Sequence, residues 1–113
     1  MPTRTCERKY RRYSLQYPVR VKVGPGSGLA ELDATSVNVS VGGMLLETAA
    51  MIPQHTPLSF VMTLQGGKIV HPVHLGGEGQ VVRVEAIGAT PRYAIAVECK
   101  KPIAEIETYL AST

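Results

Sequence analysis

Two arginines four residues apart, Arg8 and Arg12, stand in the most charged run of the chain, ERKYRR at residues 7–12. A guanidinium is planar, permanently charged and able to grip a phosphate through two parallel hydrogen bonds. Its plane also stacks on a base or pairs with the O6 and N7 edge of guanine. Two such groups on a short arm can hold the phosphate and the base edge of one nucleotide ligand, and Arg11 can share the phosphate contact. The second polar cluster is NVSVGG at residues 38–43. Asn38 and Ser40 are two apart near the end of an alternating segment, so a strand presents both on one face. Each offers a short polar side chain to a base, a phosphate or an arginine. Gly42 and Gly43 then permit a sharp turn and close approach of a ligand to the backbone.

Other chemistries find less support. His55, His71 and His74 sit in no nucleophile or metal signature, and residues three apart on a strand, such as His71 and His74, point to opposite faces. Cys99 lies in an apolar alternation and reads as a small core residue. Glu105 and Glu107 fall on the exposed face of a predicted helix, and no glycine pattern matches a phosphate loop or a dinucleotide fingerprint. Nothing in the chain requires an enzyme, a metal or a further cofactor.

The chain has 113 residues, with 44% hydrophobic and 19% charged. That composition fits one globular domain with a single core. With one Phe and no Trp, the core must be largely aliphatic. The net charge of +3 is unevenly spread: residues 1–22 carry seven basic side chains against Glu7, whereas the remainder is mildly acidic. An anionic partner is therefore expected at the N-terminal end. Cys6 and Cys99 form neither a disulfide framework nor a metal-ligand spacing. No secretory signal opens the sequence, and no apolar run approaches the roughly 20 residues that span a bilayer. A cytoplasmic, reducing location without membrane insertion is the expectation.

The elements that must position the polar clusters repeat with a period of two. In YSLQYPVRVKV, Leu15, Tyr17, Val19, Val21 and Val23 share one face, a half-buried strand. GPGSG at 24–28 reads as a turn, LAELDATSVNVS as a second strand and GGMLLET as a third. PLSFVMTLQ and KIVHPVHL flank Gly66-Gly67 as a hairpin, with Pro72 demoting part of the second run to an edge or bulge. GGEG is read as separating that strand from QVVRVEAIG, and RYAIAVECK closes the series. Only PIAEIETYL changes period: Ile103, Ile106 and Leu110 recur on one helical face, and Pro102 suits a first helical position. Six or seven short strands and one terminal helix predict an all-β fold, a small antiparallel barrel or sandwich whose open end the helix can plug.

R-x-x-x-R at 8–12 followed by [D/N]-x-S-x-x-G at 38–43, one hairpin apart, resembles the PilZ domain family. The likeness extends along nearly the whole chain: YPVRVKV resembles the family's first strand, GGMLLET its third, GEGQVVRVE its G-x-V-x-R/W strand and RYAIAVEC its closing strand. The resemblance implies a six-stranded antiparallel split barrel with a short C-terminal α-helix. It implies an arm over 1–13, a barrel over 14–100 and a helix over 102–111. Many PilZ domains are bacterial receptors for the dianionic second messenger cyclic di-GMP. By that resemblance Arg8 and Arg12 would grip phosphate and guanine, and Asn38 and Ser40 would contact a guanine or position the arginines. Gly43 would keep the surface open for the base, and Arg83 would stack on guanine. The arm would be mobile without ligand and fold over the barrel with it. The altered surface would then act on a protein partner in a motility, polysaccharide or pilus system.

Two departures bear on the site. Asn38 stands where Asp is commoner in the family, and Glu7 directly precedes Arg8. Two other readings compete: a ligand-independent PilZ-like adaptor, and a small barrel binding single-stranded nucleic acid. The latter needs stacking aromatics along a positive groove. Here five tyrosines and one phenylalanine are spread along the chain and the positive charge is confined to the arm, so no DNA or RNA partner is expected.

Overall fold

Alternating side chains become the wall of a barrel in the computed structural model, which describes residues 12–23, 30–66, 69–103 and 105–110. The strands are β1 (Pro18–Val23), β2 (Ala30–Ser40), β3 (Gly43–Thr48), β4 (Pro57–Gly66), β5 (Ile69–Ala86) and β6 (Tyr93–Cys99), followed by α1 (Glu105–Leu110). Every pairing is antiparallel, and β1 pairs with both β2 and β4, so the sheet closes in the order β1-β2-β3-β6-β5-β4. Closure consumes edge groups that an open sheet would leave to solvent. Along β1 the period-two pattern is literal: Val19 and Val21 face inward, while Pro18, Arg20 and Lys22 are exposed. Among the described residues the core is largely aliphatic, with Tyr13, Tyr17 and Phe60 as its buried aromatics and Leu46, Met62, Leu64, Val81 and Ile95 at zero exposure.

One element differs from the sequence reading. GGEG does not separate two strands, because β5 runs unbroken through Gly76, Gly77 and Gly79 for 18 residues. The physical reason is a change of neighbours. The strand pairs with β4 from Ile69 to Gln80, and with β6 only from Gly79 onward. Where it is shared, a Cβ on Gly79 would collide with the Glu98 carbonyl oxygen and reach Val97 Cγ1 at 3.1 Å. Gly79 therefore admits β6 at close range, and Gly77 makes room for the Phe60 ring, without breaking the strand. Pro72 behaves as expected. It lies where the register slips between Leu64 and Gly66, in the half of β5 that has β4 alone beside it.

The C-terminal segment closes the barrel end at which β2 finishes and β3 begins. Ile103 N–H donates to Val41 O at 2.8 Å, and Ile103 and Ile106 are buried at 8% and 0% exposure. The helix occupies Glu105–Leu110, within the 102–111 span read from the sequence, and rests against β5. Ile103 is held across the barrel mouth by its bond to Val41, which leaves Pro102 ahead of the helix rather than inside it.

Gly79→Ala tests the close approach of β5 and β6. Added volume against a backbone carbonyl costs about 1–3 kcal/mol. The expected outcome is a fall in Tm of roughly 5–15 °C by calorimetry; an unchanged Tm would show that the strands can part without cost.

Candidate functional site

The outward direction of the key side chains is set by two irregularities in the wall. In β2, even-numbered residues point inward as far as Ser36: Leu32 packs on the core, Ala34 is 7% exposed and Ser36 0%. Ser36 pairs with Leu46, but Asn38 pairs with Leu45, so Val37 is one residue more than β3 can match. This β-bulge reverses the parity. Val39 and Val41 now turn inward, at 0% and 5% exposure, and Asn38 is on the outer face. The same device recurs in β5, where Val81 pairs with Val97 but Arg83 pairs with Ala96, leaving Val82 unmatched. Val81 is fully buried and Arg83 exposed, although a regular strand would put them on one face.

The first outward group meets the N-terminal arm. Tyr13 bridges Val39 through two backbone bonds, its N–H to Val39 O at 2.8 Å and the Val39 N–H to Tyr13 O at 2.9 Å. That bridge brings Arg12 over Asn38, and Arg12 Nη1 donates to Asn38 Oδ1 at 3.1 Å. A guanidinium only donates, so the amide must present its oxygen. The other described arginines face carboxylates. Arg20 bonds Asp33 at 2.8 Å and Glu31 at 3.2 Å, Arg92 bonds Glu47 at 2.9 Å, and Arg83 lies 4.0 Å from Glu85. Arg12 is oriented by a neutral amide, and its charge is not cancelled by an acid among the described residues. Arg8 and Arg11 lie outside the described residues.

Ser40 and Gly43 belong to the tight turn between β2 and β3. Ser40 is only 7% exposed, and its hydroxyl donates to Gly43 O at 3.2 Å. The turn is tied down further by the Cys99 N–H to Gly42 O at 2.9 Å and by the Ile103 bond to Val41. A Cβ on Gly43 would run into the Val97 carbonyl oxygen, so packing of β3 against β6 demands glycine there whether or not a ligand binds.

Arg83 is not gathered beside the arm. A row of paired residues, Asn38–Leu45–Ala96–Arg83, crosses the outer face of β2, β3, β6 and β5. Three strand spacings separate its ends by about 14 Å. Between them lies a shallow floor of half-buried Leu45 and Ala96. Arg12 and Asn38 stand at one end of this row and Arg83 at the other, with apolar side chains between them. Neither bulge was anticipated from the sequence. Their signal is a change of apolar parity, from Leu32 and Ala34 to Val39 and Val41, and from Val81 to Val84.

A separate groove of about 750 Å³, lined by Lys22, Leu58, Glu78, Gln80, Glu98 and Cys99 among others, contains none of these residues. Cys99 packs against the core, and burial, helped by the Glu98 charge, pushes its thiol up to about 11. Among the described residues no group of three or more His, Cys, Asp or Glu could hold a metal ion, and His74 Nδ1 is 3.0 Å from Thr63 Oγ1. At pH 8 such a thiol is ionised to only about one part in a thousand. Peptide-mapped alkylation should therefore label Cys99 very slowly at pH 8 and about tenfold faster for each pH unit towards 11. Rapid labelling at pH 8 in the folded protein would contradict that environment.

Comparison with known proteins agrees with this architecture. A family model described as the PilZ domain matches residues 7–112. The Bacillus subtilis inhibitor of motility (MotI/DgrA) superposes with a TM-score of 0.71 at 19% identity, over 92% of this chain and 47% of that one. This chain thus spans about half the length of that protein. The PilZ domain of CeSA from a cellulose synthesizing bacterium gives 0.57 at 18% identity, over 90% and 97% of the two chains. The PilZ domain of YcgR from Escherichia coli, solved with c-di-GMP, gives 0.55 at 12% identity, over 81% and 76%. A search of curated proteins found no match. Identities this low speak for the fold, and the six-stranded closed barrel is that fold. The family model covers nearly the whole chain, from the arginine run through the terminal helix, and the chain belongs to the PilZ domain family.

Proposed function

We propose that this domain is a receptor for cyclic di-GMP, bound on the outer face of β2, β3, β6 and β5 by Arg12 and Asn38, with Arg8 completing the cationic clamp. The observation that carries the reading is the Arg12–Asn38 hydrogen bond, which joins the two sequence motifs across 26 residues. It orients a guanidinium without neutralising it, in the row that carries the apolar Leu45 and Ala96. A dianion brought to this face gains charge-assisted hydrogen bonds from the arm. A guanine lying on Leu45 and Ala96 would have Arg83 within stacking reach. Arg11 can share the phosphate contact. Ser40 and Gly43 would act chiefly by holding the β2–β3 turn in shape. Arg12 and Tyr13 already rest on the barrel wall, binding engages the part of the arm that precedes them, and the changed surface is what a protein partner reads. The solved YcgR domain with its c-di-GMP supports the choice of ligand.

The nucleic-acid reading is disfavoured by side-chain placement. Tyr13, Tyr17 and Phe60 are buried, and Tyr93 and Tyr109 half-buried, so no described aromatic side chain stands clear as a stacking platform. The adaptor reading predicts the same barrel with no ligand.

Calorimetric titration with cyclic di-GMP, with GTP and cyclic AMP as controls, separates these readings. Heat is expected for cyclic di-GMP alone, and silence at hundreds of micromolar would leave the adaptor. Loss of a charge-assisted contact is worth about 1.5–3 kcal/mol, so Arg12→Ala should weaken binding roughly 10- to 100-fold. Lys22→Ala, on the outer face of β1 beside Glu31, should leave it unchanged. Equal losses in both variants would indicate diffuse electrostatics.

Ala96→Glu sets a carboxylate on the floor itself. It should lower affinity at least tenfold while keeping Tm within a few degrees, since the position is on the outer face. Undiminished affinity in this variant would remove the floor from the site.

A further inference from the structure

Ser36 belongs to neither motif, and its side chain faces the barrel interior with no exposed surface. An apolar residue would serve a barrel wall at that place, as Ala34 does two positions earlier. Both hydrogen-bonding capacities of the hydroxyl are in use. It accepts from the Tyr17 N–H at 2.8 Å and donates to the Leu15 carbonyl at 2.6 Å, while the Ser36 N–H bonds Tyr17 O at 2.9 Å.

The position of these bonds is specific. The β1–β2 ladder ends with Pro18 opposite Thr35, one further backbone bond joins Ser36 to Tyr17, and the arm next touches β2 at the Tyr13–Val39 bridge. Between the Tyr17–Ser36 bond and the Tyr13–Val39 bridge the arm has three residues, 14–16, and β2 has two, Val37 and Asn38. The two chains are out of step, and the ladder cannot continue through backbone bonds alone. The serine hydroxyl supplies what is missing, occupying Tyr17 N–H and Leu15 O where the arm leaves the sheet.

We propose that Ser36 is a positioning residue for the binding face: its hydroxyl fixes where the arm crosses the β2 bulge, and thereby holds Arg12 opposite Asn38. It touches no ligand and acts through the backbone of Leu15–Tyr17 and the Tyr13–Val39 bridge. Its consequence for affinity rests on the reading of that face as the cyclic di-GMP site; its consequence for the arm does not. Removing the hydroxyl leaves two polar backbone groups unpaired at the root of the arm. The segment can then recover partners only by shifting against β2.

The test pairs Ser36→Ala with Ile52→Val, a variant that trims one methyl group from a core residue elsewhere in the barrel. Two quantities are read: hydrogen exchange at the Tyr13 and Val39 amides, and calorimetric affinity for cyclic di-GMP. In Ser36→Ala, exchange at both amides should accelerate at least tenfold relative to the Val21 amide in β1, and affinity should fall at least tenfold. Ile52→Val should leave both within twofold of the parent. Parent-like exchange in Ser36→Ala, or losses equal to those of Ile52→Val, would overturn the proposal. If the parent protein does not bind cyclic di-GMP, the receptor reading fails, and the exchange measurement alone decides the role of Ser36. Should Ser36→Ala not fold, Ser36→Cys keeps the volume with a weaker hydrogen-bonding group. Faster exchange at Tyr13 then supports the proposal, and parent values overturn it.

Discussion

A β-strand offers its side chains to two faces in strict alternation, and in a closed barrel one of those faces is the core. Two extra residues, Val37 in β2 and Val82 in β5, are what let this wall keep valines inward while turning Asn38 and Arg83 outward. Without the first, Asn38 and Ser40 would follow Ala34 and Ser36 into an aliphatic interior, where an unpaired amide is costly. Without the second, Arg83 would share the face of Val81, which has no exposure. The proposed binding face is thus made by two local slips of register in an otherwise regular sheet, and the residues between them, Leu45 and Ala96, pair without slippage.

Electrostatics then distinguishes Arg12 from the arginines that serve the fold. Arg20 cross-links β1 to β2 through Asp33 and Glu31, and Arg92 joins the start of β6 to Glu47 of β3. Such exposed pairs contribute little stability each, but they do cancel charge. Asn38 supplies an acceptor with no charge of its own. An aspartate there would hold Arg12 more firmly, and an incoming anion would have to compete with it. The departure from the commoner family residue therefore trades orientation strength for an available positive charge. In the proposed site, Ser36 and the Tyr13–Val39 bridge supply the orientation instead.

Much of this architecture was legible in the sequence because alternation is a strong signal wherever one face is buried. Val19 and Val21 were assigned inward correctly, and Pro72 was matched to a disturbed register. Ile103 and Ile106 are both buried, but Ile103 precedes the helix on which the spacing places it. The failures share a physical cause. GGEG has the composition of a turn, but glycine within a strand also permits close approach of a neighbouring backbone, as Gly79 does to Glu98. Composition alone does not tell the two apart. A bulge is equally silent unless the parity of apolar positions is followed along the strand. The family resemblance gives Gly43 a place beside the ligand, and the Val97 carbonyl is a second, packing reason for glycine there. Ser36 could not be singled out from sequence, because its importance arises only where two chain segments fall out of step.

Amide chemical shifts followed during titration with cyclic di-GMP test the location of the site most directly. If the face defined by the two bulges binds the ligand, shifts should concentrate at Arg12–Tyr13, Asn38–Gly43, Ala96 and Arg83, while Lys22, Leu58 and Gln80 along the separate groove stay still. Shifts confined to that groove, or none at saturating ligand, would contradict it.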